Sequence, residues 1–303
     1  MGGRNKMTSR ADYLKISSFG GLSFSHNDHI YFPGFGPSLS KLFAYLCVNH
    51  NRLVFREVLI EKLWPEKPLT QSRSALNTAL WRLNHCLEIH SVKDFISLDR
   101  NSDSVSLLAQ RPNEVFDFQN LRTCVLEMES VDNKHSHLPA ETISRWITAL
   151  DRYAGPFHPN LDSHWILQER ERLRCLYIRG CQFMMQYFSE TQRYELALSY
   201  GRKILKLDEL REYTQRQVIW LYVMNGQRNR AQDQFEKLKT VLAEELGVTP
   251  MPETLDLYNY IQQQENQTHV ISDVIENGNK VMIAMASKTE DRASIFRSLS
   301  LAL

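Results

Sequence analysis

Between positions 73 and 85 the chain carries Arg73, Ser74, Asn77, Thr78, Trp81, Arg82 and His85. Their spacings of three and four place them together on one side of a helix. The chemistry these types offer is contact with a nucleic-acid duplex. An arginine pairs bidentately with guanine and an asparagine with adenine, while short hydroxyls and cations suit phosphate oxygens. Arg73, Asn77, Thr78 and Trp81 are the candidates for base readout, with Trp81 against a thymine methyl or a sugar. Ser74, Arg82 and His85 are the candidates for phosphate, with Arg100 and Asn101 further along the chain. Residues 67–87 hold Lys67, Arg73 and Arg82 and no carboxylate that would repel phosphate. Leu76, Leu80, Leu83 and Leu87 form an apolar stripe on the other side, which is core material. A solvated surface helix can carry the same polar types, and Arg73, Arg82 and Arg100 could be ion-pair partners, so the neighbouring elements matter.

Those elements make a consistent set. Residues 13–32 read as short strands broken at Gly20-Gly21 and at His26-Asn27-Asp28. After Pro33 to Pro37, Ser38 is placed to cap a helix whose apolar face is Leu39, Leu42, Phe43 and Leu46, ended by Asn49-His50-Asn51. Leu53 and Val54 are an extended step. A second helix covers about Arg56–Leu63, with Val58, Leu59 and Leu63 inward, and Trp64-Pro65 stops it. The third helix follows Pro68, with Thr70 or Ser72 placed to accept from its first amides. Phe95 to Leu98 and Ser104 to Leu107 then alternate around a polar tip, which is a hairpin. Strands, three helices and a hairpin make a winged helix-turn-helix. Its tip, near Arg100-Asn101-Ser102, reaches phosphate or the minor groove.

Beyond Arg111-Pro112-Asn113 the pattern is helical over 115–129, 141–153, 162–189, 192–207, 211–225, 228–246 and 252–264, with Gly226 and Gly247 suited to left-handed C-caps. A shift of 34 residues superposes Met184 on Val218, Tyr187 on Leu221, Phe188 on Tyr222, Ala197 on Ala231, Ile204 on Leu238 and Leu207 on Val241. That is the period of tetratricopeptide helix pairs. The fold class is therefore mainly α: an N-terminal α+β winged helix-turn-helix followed by an all-α tetratricopeptide-like domain. The polar stretch after Glu265, the apolar run Val281 to Ala286 and the mixed residues 287–303 receive no assignment.

Composition narrows the function further. The 303 residues hold 36 Lys+Arg and 35 Asp+Glu, yet residues 1–111 hold 14 against 9. A basic front joined to a mildly acidic remainder suits a nucleic-acid module attached to a protein-contact module. No P-loop, His-Glu-x-x-His or Gly-x-Ser-x-Gly motif occurs, so no catalytic residue, metal or cofactor is expected. The pairs His26/His29 and His135/His137 and the group His85, Cys86 and His90 lack metal-ligand spacing. Five scattered cysteines without a CxxC fit reduced thiols, and no apolar run suggests a membrane span or a secretory leader; a cytoplasmic location is expected.

Specific stretches go beyond these patterns. They are FGGLSF (19–24), LSKLFAYLCVNHNRLVFREVLIEKLWPEK (39–67), SALNTALWRLNHCLE (74–88), VFDFQNL (115–121), YAGPFHPNLDSHWILQERERLRCLY (153–177) and the run from Glu195 to Tyr258 containing EELGVTPMPETLDLY. Together they resemble the Streptomyces antibiotic regulatory protein (SARP) family. In that family an OmpR-type winged helix, here 13–110, precedes a bacterial transcriptional activator domain, here 114–264, leaving 265–303 as an extension. The resemblance implies sequence-specific binding of double-stranded promoter DNA and transcriptional activation, usually as a homodimer on direct repeats. It places the recognition helix on Arg73–Leu87, RNA polymerase contact on Pro65–Thr70, and self-association or polymerase contact on the activator domain. Asn84, His85 and Cys86 stand where many relatives are more basic, and Trp81 where a small residue is usual, which points to a different half-site. The alternative is a protein-interaction scaffold whose helical repeats bind a partner while the winged helix binds DNA weakly or not at all.

Overall fold

The computed structural model describes residues 13–27, 29–89, 92–131 and 138–265. The expectations for His90, for His135 and His137, and for 266–303 lie outside them. The chain opens with an antiparallel sheet of β1 (Leu14–Ser17), β2 (Ser23–His26) and β3 (His29–Tyr31), in which Ile16 faces Phe24 and Phe24 faces Tyr31. Helix α1 (Pro37–Val48) starts from Gly36 with no side-chain cap, because Pro37 at the first turn has no amide to satisfy and a preset φ. Ser38, expected as the cap, lies inside the helix. Its neighbours Leu42, Phe43 and Leu46 are fully buried, with the Phe43 ring 5.5 Å from Phe24.

Strand β4 (Val54–Phe55), helix α2 (Arg56–Leu63), helix α3 (Leu69–Ile89) and the hairpin β5 (Ile96–Arg100) and β6 (Ser104–Ala109) complete the winged helix, with sheet order β4-β6-β5. Helix α2 buries Leu59, Ile60 and Leu63, whereas Val58 is half-buried. In α3 the stripe Leu76, Leu80, Leu83 and Leu87 is buried, as its spacing requires. Ser72 does not cap α3: its buried hydroxyl donates back to the Lys67 and Pro68 carbonyls at 3.3 and 3.2 Å. Asn51, at φ 57°, extends the second sheet sideways. Its carboxamide donates to the Ala109 carbonyl at 2.9 Å and accepts from the Ala109 amide at 2.8 Å.

The helical half contains α4 (Pro112–Val115), α5 (Asp117–Ser130), α6 (Ala140–Asp151), α7 (His164–Glu190), α8 (Tyr194–Leu207), α9 (Glu212–Met224), α10 (Arg228–Leu246) and α11 (Pro252–Glu265). The expected helix over 115–129 is interrupted at Phe116, an extended residue between α4 and α5. From α7 to α10 each helix packs on the next, and α11 returns to α9. The 34-residue correspondence matches the core: every pair from Met184/Val218 to Ile204/Leu238 is buried at both positions, and Leu207/Val241 is half-buried at both. Closest approach falls at Gly201, one turn after Ala197, where an added Cβ would lie 2.5 Å from Val218 Cγ2. Gly247 closes α10 in the left-handed conformation at φ 66°.

One hydrophobic cluster runs through both halves. At the seam Ile16 bridges Phe116 in parallel, and Phe19 bridges Phe157 antiparallel. The Gly20 amide donates to the Pro156 carbonyl at 3.0 Å, and the His158 amide to the Ser18 carbonyl at 3.0 Å. The stretches 19–24 and 153–162, far apart in sequence, are thus two faces of one junction. Gly20 is required there: its φ is +75° and an added Cβ would sit 3.4 Å from the Ala154 carbonyl oxygen.

Candidate nucleic-acid interface

Helix α3 stands on its leucine stripe with the opposite side open. Arg73, Ser74, Asn77, Thr78, Trp81, Arg82 and His85 are all exposed, as are Arg100 and Asn101 at the end of the hairpin. Trp81 is 61% exposed, whereas Trp64 is 7% exposed in the core, so the helix phase read from the leucines holds. An indole that far into solvent has an unburied apolar face free to meet a ligand. It stacks on the His85 ring, with centroids 5.3 Å apart and planes 16° from parallel. Arg73, Arg82 and Arg100 form no ion pair among the described residues, and their cationic donors remain available. Thr78 donates its hydroxyl to the Ser74 carbonyl one turn back at 3.0 Å, which leaves its methyl and oxygen lone pairs outward. His85 lies 4.0 Å from Glu88, whose carboxyl is held below its usual range mainly by Lys93.

The hairpin folds back beside this face. The Asn101 amide donates to the Ser104 carbonyl at 2.9 Å and closes the tip. A cleft of about 650 Å³ separates the tip from α3, with Arg73 and Asn77 on one wall and Asn101, Ser102 and Asp103 on the other. The structure therefore brings Arg73, Asn77 and Asn101 around one cleft, while Ser74, Thr78, Trp81, Arg82 and His85 continue along the open helix. Asp99 and Asp103 flank Arg100 and Asn101, so the tip itself is not basic.

Sequence reasoning passed over Arg56, at the first residue of α2. Its guanidinium donates to the Asn77 side-chain oxygen and, at 3.5 Å, to the Asn101 carbonyl. Two buried polar residues at the seam were also missed. The Asp117 carboxylate accepts from the amides of Ser18 at 2.7 Å, Phe19 at 3.1 Å and Phe118 at 2.7 Å. Burial pushes this carboxyl up to about 6 against those three donors. His158 is 4% exposed, and burial, aided by Arg170, lowers its imidazole to about 4. The signals were present: an aspartate inside the apolar run VFDF, and a histidine beside the glycine-proline turn. Among the described residues no group of three metal-ligating side chains exists, and no helix is long and apolar enough to cross a membrane.

Residues 117–262 match the model of the bacterial transcriptional activator domain. The chain is a transcriptional regulator that carries this domain and resembles the SARP family. It is 27% identical over 245 residues to the transcriptional regulatory protein MoaR1 of Mycobacterium bovis, covering 75% of this chain and 73% of the relative. Against MoaR1 of Mycobacterium tuberculosis the identity is 26% over the same shares. In architecture the regulator resembles Mycobacterium tuberculosis EmbR, solved with a low-affinity phosphopeptide, at a TM-score of 0.66 and 18% identity. That match spans 93% of this chain and 71% of EmbR. The winged helix in front of the activator domain accounts for the open α3 face as one part of a regulator, and the activator domain for the helical remainder.

Proposed function

We propose that the regulator binds double-stranded promoter DNA sequence-specifically, with α3 in the major groove and the hairpin beside it, and activates transcription through RNA polymerase. Residues 13–110 act as the DNA-binding unit. Residues 114–264 act as the contact unit, toward polymerase or toward a second copy on direct-repeat half-sites. Arg73, Asn77, Thr78 and Trp81 face the bases, and Ser74, Arg82, His85, Arg100 and Asn101 face phosphate. The protein acts in the cytoplasm, with no catalytic step and no cofactor. One observation carries this reading: the exposed side of α3 holds cations, an amide, hydroxyls and an aromatic, with no acid from Lys67 to Leu87.

The test is selection of bound fragments from a sheared genome by the full-length protein at two salt concentrations, beside the double variant Arg82→Ala/Asn77→Ala. Enrichment of a few upstream regions sharing a repeat, lost in the variant, is the expected result. Equal recovery of all fragments, or recovery unchanged in the double variant, would refute the assignment of this face. The acidic flanks of the hairpin tip favour a second reading, a scaffold that binds a protein through its helical repeats. That reading predicts weak retention of DNA without sequence preference, or none.

A further inference from the structure

We propose that residues 281–286 dock on an apolar patch at the end of the helical array, where α10 turns into α11, and cover it within the same chain. The proposal is independent of the DNA-binding reading. At this turn Leu246 and Met251 are 56% and 53% exposed, and Val248 and Leu255 are exposed with them. Gly247, in the left-handed conformation, turns the chain between Leu246 and Val248. Met251 and Leu255 stand one turn apart, the Leu255 amide donating to the Met251 carbonyl at 3.1 Å. The inner side of α11, with Thr254, Leu257 and Ile261, is already buried, and α11 packs on α9. The four exposed side chains therefore lie on the outside of the last helix pair. A helical array ordinarily ends in a polar outer face, because no further repeat stacks on it. A cluster of large apolar side chains at that place marks a contact surface.

Charge selects the occupant. The chain has no Lys, Arg or His between Lys239 and His269, whereas Glu244, Glu245, Glu253 and Asp256 are exposed around the patch. The cation beneath it, Arg216, is buried against Met251 and Thr254, with Glu212 3.9 Å away. The patch is thus apolar with an acidic rim. Residues 277–289 carry the complementary pattern: the apolar run Val281 to Ala286 stands between Lys280 and Lys288, with no acid. A second copy meeting this patch with its own would bring two acidic rims together, which opposes pairing. Reach is ample. Leu255 lies about 15 Å along α11 from Glu265, at 1.5 Å per residue. Residues 266–280, which join Glu265 to the apolar run, span at most about 50 Å. A tether of this length gives the segment a high effective concentration at the patch, ahead of any partner from solution.

The experiment uses the full chain with the photo-crosslinking residue benzoylphenylalanine in place of Leu255, irradiated as a mixture of isotopically light and heavy protein. The expected product joins position 255 to residues 281–286 in peptides of a single label. Ile283→Asp should lower its yield about tenfold, since a charge replaces a buried apolar side chain. The double variant Lys280→Glu/Lys288→Glu should lower it about threefold, with a smaller effect at high salt. Circular dichroism checks that each variant is folded, and the same group in place of Met251 gives a second attachment point should the first disturb the turn. A product of mixed label would make the occupant a second copy and overturn the proposal. A product on residues 295–303, no product on residues 266–303, or a yield unchanged by Ile283→Asp would overturn it as well.

Discussion

The open side of α3 and the seam around Asp117 are built from similar groups put to opposite uses. On α3, Arg82 has no carboxylate partner among the described residues and His85 lies in solvent. At the seam, Arg170 donates to the carbonyls of Phe157, His158 and Leu161 at 3.0, 2.8 and 3.0 Å, and His158 is buried. A polar group whose partners are supplied by the protein fixes geometry. The same group left exposed and unpaired keeps its hydrogen-bonding capacity for a ligand. The seam joins the winged helix to the activator domain through backbone bonds and a shared core. The orientation of the winged helix and the surface offered by the helical array are therefore mechanically coupled.

This contrast can be broken from the seam side first. Asp117→Ala strips the acceptor from three amides, of Ser18, Phe19 and Phe118, in a buried site. It should destabilise the full chain by roughly 3–5 kcal/mol in urea unfolding. A change below about 1 kcal/mol would show that the seam is not the structural joint described.

The second test uses pH. His158 titrates near 6.5 in the unfolded chain and about 4 in the fold, so its contribution is present above 6.5 and is lost as pH falls toward 4. Asp117, raised to about 6, acts in the opposite sense: it favours the fold at low pH and loses that contribution as pH rises through 6. Between pH 7 and 5 the two partly offset each other. His158→Asn, which tolerates the left-handed φ of 41°, removes one arm. Its stability relative to wild type should rise by about 2 kcal/mol between pH 7 and 5 in paired urea titrations. A constant difference would remove the imidazole from the account.

A smaller effect is expected at Gly20, where alanine meets both a positive φ and the Ala154 carbonyl. Gly20→Ala should cost about 1–2 kcal/mol, read as a lower unfolding midpoint with the same denaturant slope. The smallest effect on stability belongs to the open face. Arg82→Ala should leave the midpoint within about 0.5 kcal/mol of wild type. In DNA titrations it should weaken binding to all sequences and reduce the salt slope by about 1. A destabilised Arg82→Ala protein would mean that Arg82 belongs to the fold.

Much of this was legible in the chain because periodicity is local. The leucine stripe of α3, the turn residues around the hairpin and the 34-residue repeat each record one element's exposure to one core. Helix starts were less legible. Ser38 and Ser72 are good cap types, but Pro37 begins α1, and Ser72 is turned inward to the carbonyls before it. The break at Phe116 was invisible for a related reason. Its backbone bridges Ile16 of the first sheet and its ring lies 5.3 Å from the His50 ring, both far away in sequence.

The sequence by itself determined which side of α3 is apolar, which side is polar and acid-free, and that a winged helix precedes a helical array. Those properties follow from residue spacing, which is set before any long-range contact forms. The tertiary structure alone decided that Arg56 reaches Asn77 across 21 residues of chain, and that Asp117 receives the amides of Ser18 and Phe19 from 99 and 98 residues away. Directional bonds between distant segments leave no period in the sequence, because each depends on where two separately packed elements come to rest.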